Sequence, residues 1–192
     1  MIGATLQFLA SRLNFYLKMN QPLQDDMVVV SKILENDGKE SDLSVNKLCL
    51  FLANIENEVN VQKKSKREFD GLREIVHSNQ IYLNLYVVLA SNFKNVNYAE
   101  SLKNLSRAVA FLQDHSVFDR TNSPDMPVGI EKLFVNMENL GFQDMNSLWG
   151  MIGCKYVPSV LYKIRTIALG SGYSYYRPYA IQLPNDSVMG VM

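Results

Sequence analysis

Apolar positions along the chain follow two periods, and the period indicates which element each segment forms. Residues 2–17 and 98–114 repeat apolar side chains every three or four positions, which is the stripe of an amphipathic helix. Residues 27–33 are rich in β-branched side chains, and residues 130–140 alternate apolar and polar ones. These two segments are therefore predicted to be strands.

Two further segments are predicted to be buried strands. Residues 81–91 are apolar at nearly every position, so this strand is expected in the middle of a sheet. Residues 159–169 have one continuous apolar face, whereas the opposite face is only partly polar. The members of the apolar face are Val160, Tyr162, Ile164, Thr166 and Ala168. Such a strand fits a sheet that is covered on both sides, or one that is covered by another subunit.

The segment 143–170 joins a short helix, a tight turn and this last strand. Asp144 or Asn146 is expected to cap the helix, and Gly153 to end it. The chain's single tryptophan lies inside the helix. We interpret four residues of the segment as a signature of core and interface rather than of an active site: Trp149, Tyr156, Pro158 and Tyr162.

Two segments leave alternatives open. Residues 45–60 fit a helix by their overall periodicity, yet the alternation around Leu48, Leu50 and Leu52 fits a strand. Residues 61–74 mix lysines and arginines with acids, which fits either a basic contact loop or a solvated connection. The solvated connection is the favoured interpretation.

Composition narrows the class of protein. The chain has 192 residues, 47% of them hydrophobic and 20% charged, which predicts one ordinary globular domain. Its formal net charge is zero, so no global field attracts nucleic acid or an anionic membrane, and copies do not repel one another. No apolar run is long enough to span a bilayer, and the first residues lack the pattern of a signal peptide.

A search for chemistry finds no catalytic, cofactor or metal residues. The two histidines, His77 and His115, have no metal-ligating neighbours at the usual spacing. Residues 170–172 do not match a nucleophile elbow, and the glycines form no phosphate-binding loop. Cys49 and Cys154 are expected to be free thiols in apolar surroundings. The chain is therefore predicted not to be an enzyme.

Residues 2–17, 46–57, 82–89 and 148–164, taken in order, show a resemblance to a known family. They resemble the N-terminal domain of Pvc16-type cap, or tail-terminator, proteins of contractile injection systems. The most specific part is the Trp149–Tyr162 block. The order of the predicted helices and strands implies an α/β (α+β) fold, a mixed sheet flanked by helices. The resemblance implies one terminator-like domain over residues 1–170. It also favours a strand over a helix for residues 45–60.

The resemblance implies a structural role. Identical subunits, six in number, are expected to form a ring on the distal end of an inner tube and its sheath. The ring would stop polymerisation and couple the tube protein to the sheath protein, with no nucleic acid, membrane or cofactor involved. Assembly is expected in the bacterial cytoplasm, followed by incorporation into a particle that can be released. The alternatives are a baseplate or connector component of the same particle, and a small α/β enzyme without a recognisable motif.

The C-terminal residues 171–192 differ in character from the rest of the chain. They carry aromatic residues beyond the last core strand, and such residues need a surface to cover them. They either pack back on their own domain or form an arm that reaches a partner. The residues of the candidate arm are Tyr173, Tyr175, Tyr176, Arg177 and Tyr179.

Overall fold

A computed structural model describes residues 1–20, 25–35, 37–58, 67–69, 73–77, 81–94, 97–168 and 174–178. The helices are α1 (Ile2–Asn20), α2 (Tyr98–Asp114) and α3 (Phe142–Ile152). The strands are β1 (Val28–Val29), β2 (Lys47–Asn57), β3 (Arg67–Phe69), β4 (Arg73–His77), β5 (Ile81–Asn92), β6 (Val117–Asp119), β7 (Ile130–Glu138), β8 (Ser159–Ala168) and β9 (Ser174–Pro178).

The main sheet has six strands in the order β1-β2-β5-β8-β7-β6. β1 pairs with β2 in parallel, and the other neighbours pair antiparallel. The two long apolar strands, β5 and β8, lie at the centre of the sheet, where a strand is least accessible to water on either face. A separate sheet has three strands in the order β3-β4-β9. The mixed sheet with flanking helices confirms the predicted fold class.

Helices α1 and α2 cover one face of the main sheet. The apolar stripe of α1 is buried there, with Leu13 and Leu17 fully inaccessible to solvent. Helix α2 adds Ala108 and Phe111 to the same cluster. The strands contribute alternate residues to it, as the period of two requires. The main strand members are Leu48, Leu50, Leu85, Val87, Leu89, Leu133, Val135, Tyr162 and Ile164.

Helix α3 covers part of the opposite face. Trp149 is buried in a second cluster formed with strand residues whose side chains point away from α1 and α2. The buried members of this cluster are Ile33, Cys49, Phe51, Val88, Ala90 and Trp149. The pattern of β8 is now explained, because Tyr162 lies under α1 and α2 while Leu161 packs under α3.

Several expectations about single elements differ from the structure. Helix α3 begins after Gly141, so Asp144 and Asn146 are not its N-cap. Asp144 lies in the first turn instead, where a carboxylate is stabilised by the helix dipole. β1 is much shorter than residues 27–33, since it pairs only with the start of β2. Residues 61–74, interpreted as a connection, contain β3 and the beginning of β4.

Asparagine side chains protect both outer strands of the main sheet. Asn14 of α1 is buried against β1, where its Oδ1 accepts the N–H groups of Met27 at 2.8 Å and Val28 at 2.7 Å. Its Nδ2 donates to the Val28 carbonyl at 2.8 Å. At the other edge, Asn122 accepts the N–H of Asp119 at 3.0 Å and donates to the carbonyl of Val117 at 2.9 Å. Both contacts block backbone groups that another strand could otherwise bind.

Candidate interaction surfaces

The predicted signature residues occupy different places. Trp149 is buried under α3, and its ring meets Tyr156 edge to face at 5.7 Å between centroids. Tyr156 is 57% exposed at the turn that follows the helix. Gly153 ends α3 with a φ of 77° and donates its N–H to the Trp149 carbonyl at 3.0 Å. The Pro158 carbonyl accepts the N–H of Ser91 at 2.8 Å, which fixes the start of β8 on β5.

Tyr162 lies on the opposite face of the sheet, in the core beneath α1 and α2. Burial raises the pKa of Tyr162 to about 12. Its hydroxyl has no hydrogen-bond partner among the described residues. The four residues therefore do not converge on one pocket, and of the four only Tyr156 is largely exposed to solvent.

The two thiols and the potential metal ligands are the groups with the clearest chemical potential among the described residues. Burial, with a smaller contribution from Glu40, raises the pKa of the Cys49 thiol to about 12, and burial also raises the pKa of Cys154. Both thiols stay protonated at neutral pH and are poor nucleophiles. His115 stacks on Phe111 at 4.5 Å between ring centroids, with Nδ1 at 3.1 Å from the Phe111 carbonyl oxygen. Over the described ranges, no group of three or more potential ligands could hold a metal ion.

Exposed apolar side chains lie near both ends of α3, where Phe142 is 87% exposed and Met151 is 73% exposed. A groove of about 410 Å³ lies between α3 and strands β2, β5 and β8, and Leu140 and Met151 contribute to its lining. Its lining combines apolar side chains with the carboxylates of Glu56 and Asp144. Exposed apolar side chains grouped in this way are typical of an interaction surface.

Cations and aromatic rings alternate on the same face of the sheet, beyond the part that α3 covers. The guanidinium carbon of Arg165 lies 4.5 Å from the centroid of the Phe134 ring, and the Nζ of Lys132 lies 5.2 Å from it. The Nζ of Lys163 lies 5.8 Å from the Tyr86 ring. The Arg165 and Lys163 contacts join neighbouring strands, whereas Lys132 and Phe134 both lie on β7.

The sequence patterns did not indicate the groove or the two asparagine contacts. The groove forms because Leu140, Leu148 and Leu161 come together from different elements, and no local period records that meeting. Asn14 gives a weak signal, since it is a polar residue beside the apolar stripe of α1. For the candidate arm, Tyr175, Tyr176 and Arg177 lie on β9, which pairs with β4. Tyr173 and Tyr179 lie outside the described residues.

The model of the Pvc16 N-terminal domain family matches residues 4–182, which is nearly the whole chain. The chain belongs to this family. The matched residues include β9, so the family's pattern continues past residue 170. Within this Pvc16 domain, the structure describes no helix that is both long and apolar enough to cross a membrane.

A fold similar to that of this Pvc16 domain is found in a solved structure. The sheath/tube terminator of PVC, an extracellular contractile injection system, in the extended state has a TM-score of 0.61 and 15% sequence identity. The similarity covers 100% of this chain but 64% of that chain. The tube-terminating cap of the anti-feeding prophage has a TM-score of 0.49 and 13% identity over 94% of this chain and 60% of that chain. No curated protein sequence matches the chain.

Proposed function

We propose that the chain is a structural cap, or tail terminator, of a contractile injection system. The observation that carries this proposal is the Pvc16 family match over residues 4–182, together with a fold similar to the PVC sheath/tube terminator along the whole chain. The similar structure is the larger protein, since this chain spans 64% of its length. The proposal therefore concerns the terminator role and not activities of additional domains.

In this role, six copies form a ring on the distal end of the inner tube and sheath. The ring ends polymerisation of both, couples the last tube layer to the last sheath layer, and requires no catalytic group. The exposed apolar side chains near the ends of α3 support a binding role. Because the formal net charge is zero, no long-range repulsion opposes close packing of copies.

The segment 171–192 is proposed as the part that reaches a neighbouring component, with residues 1–170 as the terminator domain. β9 is an outer strand of the three-stranded sheet, so its far edge is available in that sheet for a further strand. Adding a strand to a sheet edge is a common way of binding an extended segment. The tyrosines and Arg177 in this segment provide the aromatic and cationic side chains that are enriched at interfaces.

Imaging of particles assembled without this protein tests the cap. We expect tubes and sheaths of uncontrolled length, and resupplying the protein should restore a uniform length. Particles of normal length would reject the terminator. Labelled protein at the baseplate end would instead favour a baseplate or connector component.

A further inference from the structure

Two charged surfaces lie at opposite corners of one face of the main sheet. The first is a hairpin over residues 33–35 and 37–41. Two backbone bonds close it: the N–H of Glu35 donates to the Lys39 carbonyl at 2.8 Å, and the N–H of Ser41 donates to the Ile33 carbonyl at 2.9 Å. Ile33 is buried in the cluster that contains Trp149, so the hairpin lies on the α3 side of the sheet.

The hairpin region is acidic. Residues 32–42 hold four carboxylates and two lysines: Glu35, Asp37, Glu40, Asp42, Lys32 and Lys39. Two of the carboxylates are already engaged within the copy. The Oδ2 of Asp37 lies 3.2 Å from the Nζ of Lys39, and the Oε1 of Glu40 accepts the Nδ2 of Asn92 at 2.8 Å.

The other two carboxylates, on Glu35 and Asp42, are available to a partner. Both residues are exposed, and among the described residues neither carboxylate has an ion pair or a hydrogen bond. Leu43 follows Asp42 and is 68% exposed. The hairpin region therefore presents unpaired carboxylates beside an exposed apolar side chain.

The second surface is cationic and lies on the same face of the sheet. The guanidinium carbon of Arg165 lies 4.5 Å from the Phe134 ring centroid, and the Nζ of Lys163 lies 5.8 Å from the Tyr86 ring centroid. Glu56 accepts the Tyr86 hydroxyl at 3.0 Å, yet within the described residues no carboxylate lies within 4 Å of either cation. The rings position the two cations while leaving most of their N–H groups available to a carboxylate.

The strand register places the two surfaces too far apart to meet within one copy. Cys49 packs in the same cluster as Ile33 of the hairpin, and it is level with Ala90 and Ser159 across the sheet. Arg165 lies six residues beyond Ser159 on β8, or about 20 Å along the strand. Attraction between exposed charges is screened beyond about 8 Å at physiological ionic strength. The two surfaces therefore do not neutralise each other inside one copy.

We infer that the acidic hairpin of one copy docks on the Arg165 and Lys163 surface of the next copy. This inference rests on the proposed ring and names the contact between its subunits. The two surfaces differ, so the contact is heterologous, and repeated contacts of this kind close into a ring when the rotation allows. The two unpaired carboxylates meet the two cations, and Leu43 covers the half-buried rings beside them.

Charge exchange tests the contact. Glu35→Lys with Asp42→Lys reverses the hairpin, and Lys163→Glu with Arg165→Glu reverses the sheet surface. Each pair of substitutions should weaken self-association about tenfold, because attraction becomes repulsion. An equimolar mixture of the two variants should recover association to within about threefold, since every hairpin then meets a surface of opposite charge. Sedimentation equilibrium measures all samples, and urea unfolding checks that each variant is folded.

Matched controls separate the contact from a general effect of charge or surface apolarity. Glu100→Lys with Asp114→Lys changes the net charge as much as the hairpin variant does, but on α2 across the sheet, so association should stay unchanged. Leu43→Ser should weaken association about threefold without a change of charge. Met19→Ser, at a residue of α1 that is 72% exposed, should not weaken it.

Several results would overturn the inference. These are an equal loss of association in the α2 control, no recovery in the mixture, or a wild-type chain that stays monomeric at about 1 mM. A sheet-surface variant that self-associates normally but no longer caps particles would also overturn it, by assigning the cations to the tube or sheath. Particles of normal length without the protein would instead reject the cap itself.

Discussion

Single asparagine side chains hydrogen-bond outward-facing backbone groups at both outer strands of the main sheet. Asn14 on helix α1 accepts the N–H of Val28 and donates to its carbonyl. Asn122, in the loop after β6, accepts the N–H of Asp119 and donates to the carbonyl of Val117. Neither residue belongs to a recognisable motif, yet each prevents a further strand from pairing at an outer edge. The outer edges of the main sheet are therefore protected by side chains that lie outside the outer strands themselves.

Replacing Asn14 with leucine should destabilise the fold by roughly 2–4 kcal/mol, because three buried or half-buried backbone groups lose their partner. Urea unfolding measures the change. Asn20→Ala is the matched control, since Asn20 is on the same helix and its Nδ2 donates to the Tyr16 carbonyl at 2.8 Å, but at an exposed position. It should cost less than about 0.5 kcal/mol. Equal effects of the two substitutions would contradict the role assigned to Asn14.

Tyr162 should make the fold sensitive to alkaline pH. The pKa of Tyr162 is about 12 in the folded chain, above the ordinary value near 10. Below about pH 10 the hydroxyl is neutral in both the folded and the unfolded chain. As pH rises from 10 through 12, the unfolded chain ionises first, so the free energy of unfolding falls. Tyr162→Phe should be equally stable or up to about 1 kcal/mol more stable at pH 7, because no described residue bonds the hydroxyl. At pH 11 its advantage should grow by about 1 kcal/mol.

Unfolding by urea at pH 7 and pH 11 measures this difference. The exposed Tyr156→Phe is the control and should change stability by less than about 0.5 kcal/mol at both values. A Tyr162→Phe variant with the same gain in stability at both pH values would show that the pKa of the Tyr162 hydroxyl is not raised in the folded chain.

Two glycines of the α3 segment differ in backbone conformation, so replacing each with alanine should have opposite effects on stability. Gly153 ends the helix with a φ of 77°, a conformation in which a Cβ is strained, whereas Gly150 lies inside the helix. Gly153→Ala should therefore destabilise the chain by about 1 kcal/mol, and Gly150→Ala should stabilise it by about 0.5–1 kcal/mol. Thermal unfolding of the pair measures both effects. No Cβ clash complicates the comparison, since nothing lies within 4 Å at either position.

Elements with a strong local pattern could be predicted from the sequence, whereas those defined by distant pairing could not. Helix α2 was predicted with the bounds observed, and β5 was placed correctly in the middle of the sheet. β6 has three residues and follows shortly after α2. A strand this short shows no recognisable alternation of apolar and polar side chains, so its pairing with β7 could not be predicted. Met137 continues the alternation of Leu133 and Val135, which are buried, but is 42% exposed, because β7 extends past the end of β6.

The candidate interaction surfaces could likewise be predicted only where a local sequence pattern determines them. Burial of Trp149 follows from its position on an amphipathic helix, and the resemblance correctly identified residues 47–57 as a strand. The extent of the pairing between β1 and β2 could not be predicted, since β1 pairs only with Leu48 and Cys49. The sequence pattern of a strand specifies which residues share a face but not which neighbour is missing.

At the scale of the whole molecule, the two core clusters lie between residues 2 and 164, on the two faces of the main sheet. The groove beside α3 shares Ala53, Leu148 and Leu161 with the residues that pack against the second cluster. β9 belongs to the separate three-stranded sheet. Removing residues after 170 should therefore alter the proposed assembly contacts while leaving the main sheet intact.

Truncation after Gly170 tests this separation. The core clusters remain complete, so the urea unfolding midpoint should fall only slightly. The three-stranded sheet, however, loses β9 and keeps only the β3–β4 hairpin, and a two-stranded hairpin is marginally stable alone. We expect the truncated chain to fold but to fail in restoring uniform length to particles that lack the full protein. Truncated protein that caps particles normally would show that neither β9 nor the residues after it take part in assembly.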